Sequence, residues 1–422
     1  MASIHPFRAL RPAPDQAAAV SSVPYDVVNT DEARQLAGND PLSFLHVTRS
    51  EIDLPPDTDP YSPQVYEKAK QNFQALRARA PLVMDEAPAL YCYRLRRGSH
   101  EQTGVTGCFS VDEYDRDIIK KHERTRRDKE DDRTRHISTL GAQTGVVFLT
   151  YRAAAEVDTI ARLVTATAPL FDFTAPDLVR HTIWRADANG TRALVEAFGR
   201  IPALYIADGH HRAASAARAR TELAAKGEHG EAGTFIAVAF PDNQMQILPY
   251  NRIVKDLAGQ SPEQFLGALR QQFTVTDGPA APRRKGDVAM YLGGRWYAID
   301  ISTAAPADHS RAGSLDVALL QQHVLERLLQ IGDIRSDKRI DFVGGARGTE
   351  ALEQAVDSGR AAVAFSMFPV MIEDLCAISD TGGIMPPKST WFEPKLRDGL
   401  LVHLILFVRR ARLQPRREGR LR

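Results

Sequence analysis

Apolar residues in this chain occur in two textures, short continuous or alternating runs and longer stretches repeating every three to four positions. Ala203–Ala207 (ALYIA), 145–151 (GVVFLTY) and Thr234–Phe240 read as buried strands, because β-branched and aromatic residues fill short runs bounded by turn formers. Leu90–Leu95, with Tyr91 and Tyr93 alternating, and Gly104–Val111 read as an antiparallel pair joined through Arg97-Gly98-Ser99. Thr182–Ala186 adds another strand. Helical spacing marks Gln64–Arg79, through Val65, Ala69, Phe73 and Leu76, and also Ala154–Ala166 and Arg192–Phe198. A helix starts near Asn29–Arg34 with Thr30 as its cap, and an alanine-rich helix runs from about His211 to Leu223. Strand, helix and strand from 203 to 240 predict a βαβ unit.

After Pro249-Tyr250-Asn251-Arg252 the texture changes. Helix Pro262–Gln271, strands Val288–Leu292 and Trp296–Asp300, and a long helix Leu315–Gln330 with core positions Leu315, Leu319, Val324, Leu325 and Leu328 follow. Asp341–Val343, Thr349–Ser358 and Ala361–Ser366 read as strand, helix, strand, with a helix at Ile372–Ile378. Gly344–Gly348 lacks the form of a phosphate-binding P-loop and reads as a plain turn. The pattern predicts an α/β (mixed α+β) protein: a core region over 1–252 with an N-terminal extension, a second α/β domain over 253–400, and a basic tail over 401–422. Its last part, 409–422, with seven Arg, is expected to be disordered.

Composition narrows the class. At 422 residues, 43% apolar and 25% charged, the chain has ample core for two domains. A formal net charge of +1 supplies no field for nucleic acid or an anionic membrane. Cys92, Cys108 and Cys376 show no CxxC spacing, and the N-terminus MASIHPFRALRP has no apolar core of a signal peptide. A cytoplasmic protein with no membrane partner is expected; the oligomeric state is not legible.

Chemistry concentrates in two segments. At Asp208-Gly209-His210-His211-Arg212 a strand meets a helix through a turn that Gly209 permits, so free N–H groups and the positive end of the helix dipole converge on one corner. A phosphate suits such a corner, although the same turn serves in ordinary strand–helix connections. The second segment, Ile118–Arg135, carries eight Lys/Arg and five Asp/Glu. Such a run is a solvated helix face or a mobile loop, and cation excess around Glu123 also suits a polyanionic substrate. His122 and His136 read equally well as surface residues.

Together the Asp208–Arg212 turn, the Lys121-His122-Glu123 segment and the late run Pro386–Lys395 (PPKSTWFEPK) resemble the ParB/sulfiredoxin superfamily, and within it the free L-serine kinases of the SerK type. The chain also resembles a large bacterial and archaeal family with IHPFRALRP and VPYDVV near the start, over about residues 1–400. The resemblance implies phosphoryl transfer from ATP or ADP, with Mg²⁺, to the hydroxyl of free L-serine or a similar small hydroxy-amino acid. In it Glu123 is the general base, with His122 beside it, and Asp208 holds the metal. Gly209, His210, His211, Arg212, Lys388, Ser389 and Thr390 hold the nucleotide, with Pro386-Pro387 stiffening the approach of Lys388. Asp26 is the candidate partner for the substrate ammonium, and Arg124, Arg126 or Arg133 for its carboxylate. The alternative is a ParB-like nucleotide-binding regulatory or DNA-binding protein without kinase activity, against which the near-zero charge argues. No Cys lies near the turn to support sulfiredoxin chemistry.

Overall fold

A computed structural model describes residues 1–79, 82–228, 230–306 and 308–406; residues 409–422, expected to be disordered, lie outside them. Among the described residues two large sheets dominate. Strands β1 (Ile4–His5), β2 (Tyr91–Arg97), β3 (His100–Ser110), β4 (Ile119–Lys120), β5 (Val147–Tyr151), β6 (Phe171–Thr174), β7 (Arg180–Arg185), β8 (Leu204–Asp208) and β9 (Thr234–Pro241) form the first. Their order is β4-β8-β5-β9-β3-β2-β7-β6, with β1 on β3. The second sheet holds β10 (Tyr250–Val254), β11 (Thr274–Asp277), β12 (Asp287–Leu292), β13 (Arg295–Asp300), β14 (Ile340–Gly344) and β15 (Val363–Met367), in the order β11-β13-β12-β15-β10-β14. The protein is mixed α/β.

The apolar runs of the first sheet are continuous because both faces are covered, and alternate residues serve opposite cores. Phe235, Ala237 and Ala239 of β9 join a core with Leu149, Tyr151, Phe198 and Ile206. Ile236, Val238 and Phe240 join another that extends through Phe148 and Phe392 to Val288 and Phe365 of the second sheet. The Phe148 and Phe392 rings lie 5.8 Å apart. Helix α1 (Pro63–Arg79) buries Val65, Ala69, Phe73 and Leu76 as its spacing predicts.

Three local expectations are corrected. β8 is antiparallel to β5 while β9 is parallel to it, so the expected βαβ unit has opposed strands; the register of β9 on β3, from Thr234↔Ser110 to Ala239↔Val105, sets that direction, which an apolar run does not encode. The early helix is capped by Asn29, not Thr30: Asn29 and Glu32 form a reciprocal capping box, while the Thr30 hydroxyl donates to Glu51. The helix at 315–330 is α-helical over Asp316–Leu320 and π-helical over Gln321–Glu326. The wider turn takes up one extra residue, so Leu329 rather than Leu328 is fully buried.

Two further helices frame the site. The charged run folds as α2 (Arg127–Leu140), neither fully solvated nor a loop, because it packs along α3 (His210–Ala225) and buries Asp132, Thr134, His136 and Ile137. Arg218 of α3 pairs with Asp131 at 2.6 Å, and Ser215 donates to the Glu130 carbonyl. The end of the described chain pairs with segments outside the two large sheets. Trp391–Glu393 pairs with Gln246–Leu248, Asp398 exchanges backbone bonds with Ser22, and His403–Leu404 pairs with Ala142–Gln143. No helix among the described residues is long and apolar enough to cross a membrane.

Candidate active site

Asp208 ends β8 at a register shift against β5. Gly209 then turns the chain with φ +98°, a region most side chains avoid, and α3 starts at His210. The corner read from the sequence is therefore present. The return of the chain brings Lys388, Thr390 and Lys395 to it, and Asp26, Glu123, Arg124, Arg126, Asp208, Gly209, His210 and His211 line the same cleft of about 600 Å³. Around it Arg49, Arg124, Arg126, Lys129, Arg335, Lys338, Lys388 and Lys395 outnumber Asp26, Glu123, Asp208 and Asp337 two to one. Glu51, Asp128 and Asp333 pair with Arg49, Arg126 and Arg335, which leaves Arg124, Lys129, Lys338 and Lys388 as rim cations without a carboxylate ion pair among the described residues.

Asp208 is the electrostatic centre. Lys395 Nζ lies 3.2 Å and Arg212 Nη2 3.4 Å from its Oδ2. Burial works to raise its carboxyl, but Lys395 and then Arg212 hold it well below the ordinary carboxylate range. Glu123 is the opposite case. Burial raises its carboxyl above the usual value, Lys388 draws it down, and the carboxylates of Asp208 and Asp26 push it up. Lys388 has φ +58° and its ammonium lies 5.4 Å from the Tyr250 ring centre. Burial works to lower that ammonium, and the pull of Tyr250 and Glu123 raises it overall.

Both His122 and His210 are buried, so the surface reading of His122 fails, as it does for His136. Their rings meet edge to face at 4.4 Å, and burial drives the His122 imidazole down to about 4 and that of His210 well below its ordinary value. The His122 backbone N–H donates to His210 Nε2 at 3.4 Å, while His122 Nδ1 is buried without a partner among the described residues. The Arg126 N–H donates to His211 Nε2 at 3.0 Å, so His211 braces the loop that carries Glu123.

Several expected ligand contacts are spent internally instead. Arg212 is buried: it donates to the Val146 carbonyl and pairs with Asp26 at 3.2 Å as well as with Asp208. The expectation that its guanidinium binds phosphate gives way to one in which it holds two carboxylates, because the first turn of α3 faces the sheet. Asp26 is correspondingly engaged with Arg212 rather than free for an ammonium. Arg133 lies under the Tyr25 ring at 4.1 Å and pairs with Asp132 at 2.8 Å, which removes it as a carboxylate partner. Ser389 is buried and donates to the Pro386 carbonyl within its own turn, so its hydroxyl is not presented to the cleft. Arg126 pairs with Asp128.

Sequence reasoning missed Lys395, although the residue stood in the quoted C-terminal segment, and the aromatic wall of Tyr250, Phe342 and Trp391. It also missed Asp398, buried beside Arg212, whose carboxyl burial pushes up to about 7. One carboxylate oxygen and one cluster of side chains among the described residues could hold a metal. Asp208 keeps Oδ1 clear of protein donors among the described residues, an oxygen ligand that suits Mg²⁺. His122, Glu123 and His210 bring one donor atom each within 4.8 Å of one another, a nitrogen-rich set that transition ions prefer.

No curated protein matches the chain. Among solved structures it is similar to SbnI with a C-terminal truncation from Staphylococcus aureus (14% identity, 71% of this chain and 87% of that one, TM-score 0.38). It is also similar to a free serine kinase in complex with AMP (12%, 72% and 91%, TM-score 0.37). A conserved hypothetical protein from Pyrococcus furiosus gives 14%, 71% and 95%, with TM-score 0.35. These likenesses are distant. The family model for proteins of unknown function DUF1015 matches residues 4–318, and the chain belongs to that family.

Proposed function

We propose that this protein is a phosphotransferase that moves a phosphoryl group from ATP or ADP to the hydroxyl of a small molecule, with free L-serine the acceptor implied by the sequence motifs. The observation that carries the reading is the convergence of Glu123, Asp208 and Lys388 on one cation-rimmed cleft from segments distant in the sequence. Transfer to an alcohol needs a base for the hydroxyl proton, cations on the phosphoryl oxygens and a site that excludes water. Glu123, whose carboxyl burial raises above the usual value, is suited to the first task. Its carboxylate takes the hydroxyl proton as the new O–P bond forms. The bond from that phosphorus to the bridging oxygen breaks, and its electron pair leaves with the shortened nucleotide. Lys388, beside Glu123, and the N–H groups at the start of α3 face the phosphates. Lys395 keeps Asp208 ionised, and Asp208 Oδ1 is the atom that would hold Mg²⁺, which supplies charge neutralisation of the phosphates when bound.

The test is incubation of the full chain with ATP or ADP, Mg²⁺ and a panel of hydroxyl-bearing amino acids, followed by phosphorus NMR. A new phosphomonoester signal growing as the donor's terminal phosphate disappears is expected. Nucleotide binding without any phosphoryl transfer across the panel would overturn the reading.

A further inference from the structure

Glu123, Arg124 and His210 line a second hollow as well as the cleft, and the two share no other lining residue. The second hollow is an open pocket of about 440 Å³ whose remaining wall includes Tyr114, Asp117, Lys121 and Ile384. Met385 donates its backbone N–H to the His122 carbonyl at 2.8 Å, which pins the segment carrying Ile384 and Lys388 beside Glu123. A base standing where two cavities meet reaches a donor in one and an acceptor in the other. We infer that the pocket behind Glu123 is the acceptor site, and that Asp117 and Arg124 read the two charges of a small zwitterion; this rests on the phosphotransferase reading above.

The charges in the pocket are unevenly spent. Lys121 donates to the Tyr114 carbonyl at 2.9 Å, and its Nζ lies 4.3 Å from the Tyr114 ring centre. It reaches Asp117 only at 3.6 Å, beyond a good hydrogen bond, and the Asp117 side chain is 46% exposed. The Asp117 carboxylate is therefore available to a ligand's ammonium. Arg124 is exposed and, unlike Arg126 and Arg133, has no carboxylate partner among the described residues. Its planar fork suits a ligand carboxylate held bidentately. An acceptor bound between the two presents its hydroxyl to Glu123. Asp26, the residue first expected to hold the ammonium, lies outside this pocket and is paired with Arg212.

Asp117 has φ +59°, a conformation that Asn also tolerates, so Asp117→Asn removes the charge with the backbone kept. The experiment compares wild type and Asp117→Asn in direct titrations and turnover assays. The probes are L-serine, glycerate, which lacks the ammonium, and ethanolamine, which lacks the carboxylate. In the variant, Kd and KM for L-serine should rise about tenfold or more, the size of a lost charge-assisted contact, while glycerate, which has no ammonium to lose, is not weakened and nucleotide affinity is kept. Arg124→Gln should instead weaken L-serine and glycerate and spare ethanolamine. Wild-type L-serine affinity in a folded Asp117→Asn protein that still turns over refutes the acceptor pocket and leaves the phosphotransferase reading standing. Asp117-dependent binding of L-serine without transfer keeps the pocket and refutes the phosphotransferase. Neither binding nor transfer for any of the three probes refutes both.

Discussion

Replacing Asp398 by Asn should stabilise the protein at neutral pH, and the gain should depend on pH in a defined way. Asp398 is 1% exposed, its Oδ2 has no hydrogen-bond partner among the described residues, and burial raises its carboxyl from 3.8 to about 7. Arg212 draws it down and Asp26 pushes it up, but desolvation dominates. The folded state therefore holds this proton more tightly than the unfolded chain. Below pH about 4 both states are protonated and the group costs nothing; as pH rises the unfolded chain releases its proton first, and stability falls by about 1.4 kcal/mol per pH unit until the folded group also ionises. Between 3.8 and about 7 the full penalty grows to roughly 4 kcal/mol. Asn cannot ionise, so Asp398→Asn removes the slope. Urea unfolding of both proteins at a series of pH values should show the variant's advantage growing between about pH 4 and 7 and then levelling off. An advantage independent of pH, or one that shrinks toward neutrality, would refute the burial of this carboxyl, whose Oδ2 has no hydrogen-bond partner among the described residues although a Val146 backbone hydrogen bond draws the group down.

Other consequences are as direct. Glu123→Gln should lower kcat roughly 10²–10⁴-fold with nucleotide Kd nearly kept; near-wild-type turnover removes Glu123 as the base. The wild-type rate should fall toward acid through an apparent pKa above the 4.5 of an ordinary Glu, since only the ionised form accepts a proton. His122, at about 4, and His210, lower than its usual value, should contribute no limb near pH 6.5, and a limb there that His122→Asn abolishes would contradict their burial. Arg212→Met should cost about 3–5 kcal/mol of stability, as expected when one partner leaves a buried ion pair; a variant of native stability impaired only in nucleotide binding would restore Arg212 to the phosphates. Gly209→Ala should destabilise by roughly 1–3 kcal/mol, because φ is +98° and the added Cβ would lie 3.1 Å from the Arg212 guanidinium; an unchanged urea midpoint would count against that turn.

The sequence was most readable where a local signal decides the outcome. Phe73 and Leu76 on α1, the hairpin through Gly98, and the turn at Gly209 each follow from spacing or from one residue's conformational freedom. Strand direction was not readable: β8 and β9 carry the same apolar texture whether parallel or opposed, and long-range pairing chose between them. Polar side chains were misjudged where they turned inward. Nothing in DGHHR says that Arg212 reaches Val146 and Asp26, since those partners lie 66 and 186 residues away. Lys395 was missed for the same reason, its partner Asp208 being 187 residues back along the chain. The motifs thus located the corner, whereas the division of its charges between structure and ligand depended on packing.

That last separation also sets a schedule. Ribosomes add about 5–20 residues per second, so Lys395 is synthesised roughly 10–40 s after Asp208 and must still clear the exit tunnel before the two can meet. Until then the nascent chain carries Glu123 and the Asp208–Arg212 turn without Lys388 beside the one or Lys395 against the other. A half-made polypeptide consequently holds Glu123 and the turn but not the assembled cleft. On the phosphotransferase reading proposed above, a product that ends before Lys388 should therefore be inactive, and the pairing of Gln143 with His403 can form only after the residues of the cleft have been made.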